Sequence, residues 1–426
     1  MGSRSILRHA GGSCSVLWLG LVVTACQRSP DAAVTEPTPA SGIGQLRAVA
    51  VPAGAESSEP RLAAGGDGTL VLSWLEPVGD AFDNQLKYSL WTGSEWGAPS
   101  VAARGADWFV NASDVPAVQP IGTRLWAAHW RTTAASDFAY DIMISVSPDA
   151  GATWTAPRLL NDDGTATEHG FVSLFAWNGD LGAIWLDGRN TATEERADSS
   201  GAPLGTTLRY ARIAADGAFA AQGVLDELVC DCCTTGIAAT ADGLALVYRD
   251  RTPDEIRDIV VRRERAGVWS EPVQAGPDHW KIEGCPVNGP AIDARGANVA
   301  VAWFTAPDNR SRVRFAASTD GAASFAPAIE VDSEAPIGHV GIALVDDRTA
   351  FVSWWRPSPS GGAQLAMRRV GFNGSLGPLQ VVAESASSHP DDVPQIARVG
   401  DKLLVAWTDS NDVQTVRAAV ADIGGF

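Results

Sequence analysis

Methionine, tyrosine, histidine and cysteine are all scarce in this 426-residue sequence, at 3, 4, 6 and 6 residues. Heptads, long helical periodicities and alternating strand–helix patterns are missing, which excludes coiled coils, helix bundles and doubly wound parallel sheets. The apolar run Ser15–Ala25 falls short of the ~20 residues that a spanning helix needs. Basic residues are few, 32 Lys and Arg against 50 Asp and Glu, for a formal charge of −18. That balance excludes the basic footprint of a nucleic-acid binder and the basic patches of an anionic-lipid binder. What is abundant is 43 Gly, 25 Pro and 16 Trp within a 45% hydrophobic chain. This composition excludes a mainly disordered chain and points to many short strands joined by turns. All-β units of this length occur as one domain.

Residues 1–25 read as a secretory address: Arg4 and Arg8, then the short apolar run, then small residues. Val23-Thr24-Ala25-Cys26 resembles the lipobox of bacterial lipoproteins, which implies a lipidated Cys26. Gln27 in second place resembles an outer-membrane sorting choice. Residues 26–42 are polar and proline-rich, as a tether should be. The expectation is a protein of the bacterial cell envelope, held to a membrane only through its lipid, with residues 43–426 as one folded domain.

An apolar run ending in an aromatic recurs seven times, at Trp74, Trp130, Trp185, Tyr248, Trp303, Trp354 and Trp407. The intervals are 56, 55, 63, 55, 51 and 53 residues. A turn and a short strand precede each run, and further strands follow. Four strands at a period near 50 predict a β-propeller of seven blades, or six if the last unit packs irregularly. Only one strand follows Trp407, so residues 44–54 are expected to supply the missing outer strand and close the ring.

The turn Ser147-Pro148-Asp149-Ala150-Gly151-Ala152-Thr153-Trp154 resembles the Asp-box, or BNR repeat, of bacterial sialidases and related propellers. Ser318, Asp320 and Phe325 carry a weaker copy, with Ala322 at the Gly151 position. The resemblance covers residues 44–426 as architecture and implies that these boxes are structural turns opposite an active face. The sialidase catalytic set does not carry over. None of the four tyrosines lies in the last three units, so the family's tyrosine nucleophile is missing, and Glu59-Pro60-Arg61-Leu62 is the nearest text to its first-blade arginine motif.

Chemistry is expected in the loops leading into each first strand and in those leaving each second strand, which share one face. Asp187, Asp250, Arg189, Arg249, Arg251 and Arg356 cluster in the outgoing loops. They read first as ion pairs between blades and second as a hydrolytic acid pair, Asp187 with Asp250. The lead-in loops hold four of the five histidines beyond the leader and all four remaining cysteines: His169, His279, His339 and His389, with Cys230, Cys232, Cys233 and Cys285. Two readings stand. In an oxidising compartment the cysteines form disulfides, and equal spacing to the blade aromatics pairs Cys230 with Cys285, leaving Cys232–Cys233. Otherwise the thiolates and the imidazoles of His169, His339 or His389 hold copper or zinc. The Cys-Asp-Cys-Cys-Thr-Thr-Gly text also resembles an element of BNR-type lipoproteins. Asp114, Trp280, Glu283, Asn288 and Asp391 are the expected ligand-binding residues on this face. The functional expectation is a monomeric binding propeller for a carbohydrate or cell-surface polymer, with a glycoside hydrolase or a copper or zinc protein as alternatives.

Overall fold

The computed structural model describes residues 44–79, 83–133, 138–192 and 204–423. The proposed leader, Cys26 and the tether lie outside the described residues. Seven antiparallel sheets form a seven-bladed propeller. Blade 1 comprises Ser58–Ala64, Leu70–Pro77, Asn84–Leu90 and Ser100–Gly105; blades 2 and 3 begin at Ala117–Ile121 and His169–Trp177. Blades 4, 5 and 6 begin at Gly236–Thr240, Ala291–Arg295 and Gly338–Leu344. In blade 4 the outer position is shared by two short strands, Val268–Trp269 and Val273–Gly276, both paired with Ile259–Arg265. Blade 7 is Gln395–Val399, Lys402–Asp409 and Thr415–Asp422, and Arg47–Val49 is its fourth strand. The register is Arg47↔Val420, Ala48↔Ala419 and Val49↔Ala418, so the expected closure by the N-terminal segment holds. Regular helix is confined to two 3-10 turns among the described residues.

Buried hydrophobic residues fall into seven clusters, one at each interface between neighbouring blades. The second strand of each blade is covered on both faces, which is why its sequence is a continuous apolar run rather than an alternation. In blade 1, Leu70, Leu72 and Trp74 face blade 7, while Val71 and Leu75 face blade 2. Six of the seven marker aromatics face the preceding blade in this way. Blade 2 departs from the pattern. There His129 takes the position and stacks on Trp108 at 4.4 Å, while Trp130 turns toward blade 3 and donates its indole N–H to the Asp114 carbonyl at 2.6 Å.

The polar tips of the aromatics account for Asp187 among the acids noted in the outgoing loops, and for four further acids. Trp74 donates to Glu76 (3.1 Å), Trp185 to Asp187 (2.9 Å), Tyr248 to Asp226 (2.6 Å), Trp303 to Asp278 (2.7 Å) and Trp354 to Asp332 (2.7 Å). A cation stands on most of these carboxylates: Lys87 on Glu76, Arg262 on Asp226, Arg314 on Asp278 and Arg356 on Asp332. A buried indole N–H needs an acceptor, and a buried carboxylate needs a positive partner, so aromatic, acid and base travel together.

The two box turns are built alike. Asp149 accepts the Thr153 N–H (2.8 Å) and the Ser147 hydroxyl (2.9 Å); Asp320 accepts the Ser324 N–H (3.0 Å) and the Ser318 hydroxyl (2.7 Å). Gly151 holds φ 96°, and Ala322 holds φ 64° at the matching position. Trp154 packs edge-on against Tyr88 of the preceding blade.

Candidate functional site

Asp187 ends its strand with its side chain sealed from solvent. Burial pushes its carboxyl up, but hydrogen bonds from Arg189 (2.7 and 2.9 Å) and Trp185, with His169 3.8 Å away, outweigh this and hold it below the usual range. Asp250 is half-buried, and burial with the neighbouring Asp226 raises it to about 6. No hydrogen bond joins the two acids among the described residues. Arg249 is buried too. It donates to the carbonyls of Arg257, Asn288 and Phe304 and lies over the Trp280 ring at 5.0 Å. Arg356 is spent on Asp332 and Glu334.

Two expected ligand-binding residues have become interlocks between blades. Asp114 of blade 2 accepts the Phe171 N–H of blade 3 at 2.7 Å, and Asn288 accepts the His339 N–H of blade 6 at 2.7 Å. Phe171 and His339 both have positive φ, 54° and 53°, inside bulged first strands. Trp280 is buried, and its N–H with that of His279 is held by Asp258. Glu283 and Asp391 are exposed, and the Asp391 carbonyl takes the Ser113 hydroxyl at 3.4 Å, joining the loops of blades 7 and 2.

The histidines stay apart from the sulfurs. His169 is buried; its Nδ1 faces the carbonyls of Tyr140 and Thr167, both at 3.1 Å, and its Nε2 faces Asp163 at 3.1 Å. Asp163, His169 and Asp187 bring three ligand atoms within 4.8 Å of one another, with Arg189 bonded to the same carboxylates. His339 is buried without a partner for Nδ1 among the described residues, and burial lowers it to about 4, so it is neutral. His389 is exposed beside Ser388.

The cysteine pairing differs from the expected one. The disulfide joins Cys232 to Cys285, with Cα atoms 6.0 Å apart, rather than Cys230 to Cys285. Cys230 and Cys233 are free and buried with sulfurs 3.4 Å apart, so Cys232 and Cys233 are not bridged. Cys230 also receives a guanidinium N–H from Arg257 at 3.3 Å. The Cys233 hydrogen bond and the positive charges of Arg249 and Arg257 pull its thiol down against burial, while burial pushes Cys233 up.

Four charged residues, three of them (Asp231, Glu255 and Arg257) absent from the expected site set, tie the loops of this cluster together. Arg251 pairs with Glu255 (2.6 Å), Glu255 with Arg257 (2.9 Å), Arg257 with Asp231 (3.3 Å) and Asp231 with Arg251 (3.6 Å), closing a ring of alternating charge. Only Arg251 carried a signal, through its place after the blade aromatic. Glu168 lies beside this ring and is half-buried; burial raises it to about 6, with Asp231 adding to the shift. The Tyr140 hydroxyl stands 2.7 Å from Asp114 and 3.0 Å from Glu168. One O–H serves one acceptor, so a second proton sits on a carboxyl. Asp114, raised to about 8 by burial, is the one that holds it at neutral pH.

The inner strands enclose a channel cavity of about 530 Å3, lined mainly by small and aliphatic side chains with Arg61, Gln119, Asp293 and Arg398. The Arg61 guanidinium makes no hydrogen bond or ion pair among the described residues, and burial lowers it from its ordinary value. A second, much smaller cavity that shares Arg61 with the channel is lined by Asp114, Phe171 and Thr234.

Comparison with protein families and with curated proteins finds no match. Solved structures do match. An ulvan lyase of polysaccharide lyase family PL25, bound to -[GlcA(1-4)Rha3S]-, is 11% identical with a TM-score of 0.55, covering 88% of this chain and 96% of its own. A second structure of the PL25 ulvan lyase gives 10% identity and 0.51 over 90% and 95%. The endosialidase of phage phi92 is 8% identical with a TM-score of 0.49, covering 90% of this chain and 70% of its own. What the two ulvan lyase structures share with the chain is the fold.

Proposed function

We propose that this is a lipid-anchored propeller of the cell envelope that binds a carbohydrate at the lead-in face over blades 3 and 4, without sialidase turnover. The observation that carries the reading is the closed ring Asp231–Arg257–Glu255–Arg251. Arg257 is 4% exposed and Asp231 40% exposed, so an anchored inner member holds an accessible outer one. Sugar hydroxyls both donate and accept, and vicinal pairs match planar carboxylate and guanidinium edges. Side chains already fixed by one another lose little freedom when a sugar docks. The glycan-acting propellers among the structural likenesses support the class of ligand only as a family habit of the fold, and BNR membership rests on the box turns.

The test is calorimetric titration of the mature chain against neutral and uronic polysaccharides, with reducing-end and unsaturated-product assays alongside. Saturable binding without product, lost in Arg251→Ala at unchanged melting temperature, is the expected result. Absence of binding across the panel overturns the reading.

A second reading has one observation of its own. Glu168 is half-buried, burial raises it to about 6, and the nearby charge of Asp231 adds to the shift, as for a general acid with a second carboxylate close by. Product formation that disappears in Glu168→Gln selects it.

A further inference from the structure

Four sulfurs lie at one place with a graded exposure. Cys285 is exposed, Cys232 half-buried, and Cys230 and Cys233 buried. The Cys230, Cys232 and Cys233 sulfurs lie within 4.8 Å of one another, with two residues between Cys230 and Cys233 in a C-x-x-C arrangement. Beneath them Arg249 and Trp280 fix the loop, and Arg257 places a guanidinium N–H on Cys230. A reactive pair set behind a solvent-facing disulfide is the layout of an exchange chain, since the Cys230 sulfur lies within 4.8 Å of Cys233 and of both members of the bridge, Cys232 and Cys285.

We propose that these cysteines form a thiol–disulfide relay that moves two electrons between the buried Cys230/Cys233 pair and the outer Cys232–Cys285 bridge, and so to an external disulfide. The Cys230 thiolate attacks Cys232 Sγ; the Cys230–Cys232 bond forms, the Cys232–Cys285 bond breaks and Cys285 leaves as thiolate. Cys233 gives its proton to that thiolate and attacks Cys230 Sγ, releasing Cys232 as thiolate. One thiolate, one thiol and one disulfide stand on each side, so the internal step is a balanced isomerisation. The exposed dithiol then reduces a partner disulfide, re-forming Cys232–Cys285 and releasing two thiols of the partner. Arg257 supports the thiolate in the first step, and the shielded inner pair is kept from solvent oxidants.

The mature chain, in chelator, is reduced to one disulfide per chain with a dithiol, quenched in acid with a maleimide and cut with trypsin. Cys285 then falls on a different peptide from the other three cysteines. The relay predicts two populations that interconvert with time, one with Cys285 linked and one with Cys285 alkylated beside a Cys230–Cys233 bond. In Cys230→Ser, Cys285 stays linked. Arg257→Gln keeps all four sulfurs and slows interconversion by about tenfold, which keeps the test decisive if the serine variant misfolds. Cys285 linked at all times in the parent chain overturns the proposal. So does equal alkylation of Cys285 in Cys230→Ser.

Discussion

The Asp114 carboxyl Oδ1 accepts the main-chain N–H of Phe171, in the next blade, at 2.7 Å. Asn288 makes the same bond to His339 three blades on, so a carboxyl and an amide fill equivalent places. Burial raises Asp114 to about 8, well above its unfolded value, so the native state binds the extra proton. Its contribution is therefore fully present near pH 4 and is lost as pH rises toward 8. Asp114→Asn should match the parent near pH 4 and exceed it at pH 8 by at least about 1 kcal/mol in urea unfolding. Equal stabilities at both pH values would contradict this account of the interlock.

Glycine is required where these interlocks pass. A Cβ on Gly170 would sit 2.0 Å from Asp114 Oδ2, and one on Gly338, at φ 107°, 2.0 Å from Asn288 Oδ1. Gly66 has open space. Gly170→Ala and Gly338→Ala should each cost about 2 kcal/mol or more, and Gly66→Ala less than about 0.5 kcal/mol. Chemical denaturation of the three variants checks the order.

Closure by Arg47–Val49 joins the chain ends in one blade. Removing residues up to Ala50 strips the Thr415–Asp422 strand of its outer partner and leaves an open edge. The expected loss is on the order of 2 kcal/mol, read as a lower urea midpoint together with concentration-dependent association. An unchanged midpoint would show that the ring holds without this strand.

Trp185, Asp187, Arg189 and His169 form one sealed network, so Asp187 is a structural acid in this account. Asp187→Asn leaves Arg189 and His169 short of negative charge and should destabilise by about 2–4 kcal/mol. Any glycan affinity that survives in the folded fraction should equal that of the parent.

The propeller was legible because each second strand is buried on both faces, which writes a continuous apolar run and one aromatic per blade. The side that an aromatic faces was not legible. Strand parity decides it, and in blade 2 His129 and Trp130 differ by one residue and point to opposite interfaces. The lead-in loops were correctly grouped on one face, but equal spacing of Cys230 and Cys285 did not pair them. Loops with positive-φ residues such as His279 and Val287 do not keep strand register, and Cys232 rather than Cys230 bonds to Cys285. The charged ring was missed because Asp231 and Glu255 lie in different loops and meet only through Arg251 and Arg257.

The central claim is that the ring over blade 4, and not the sealed acids of blade 3, meets the ligand. Calorimetric titration of one polysaccharide that the parent chain binds, against Arg251→Ala and Asp187→Asn side by side, tests it most directly. The account predicts at least about tenfold weaker binding for Arg251→Ala and unchanged binding per folded molecule for Asp187→Asn. Unchanged affinity in Arg251→Ala with loss in Asp187→Asn would contradict it.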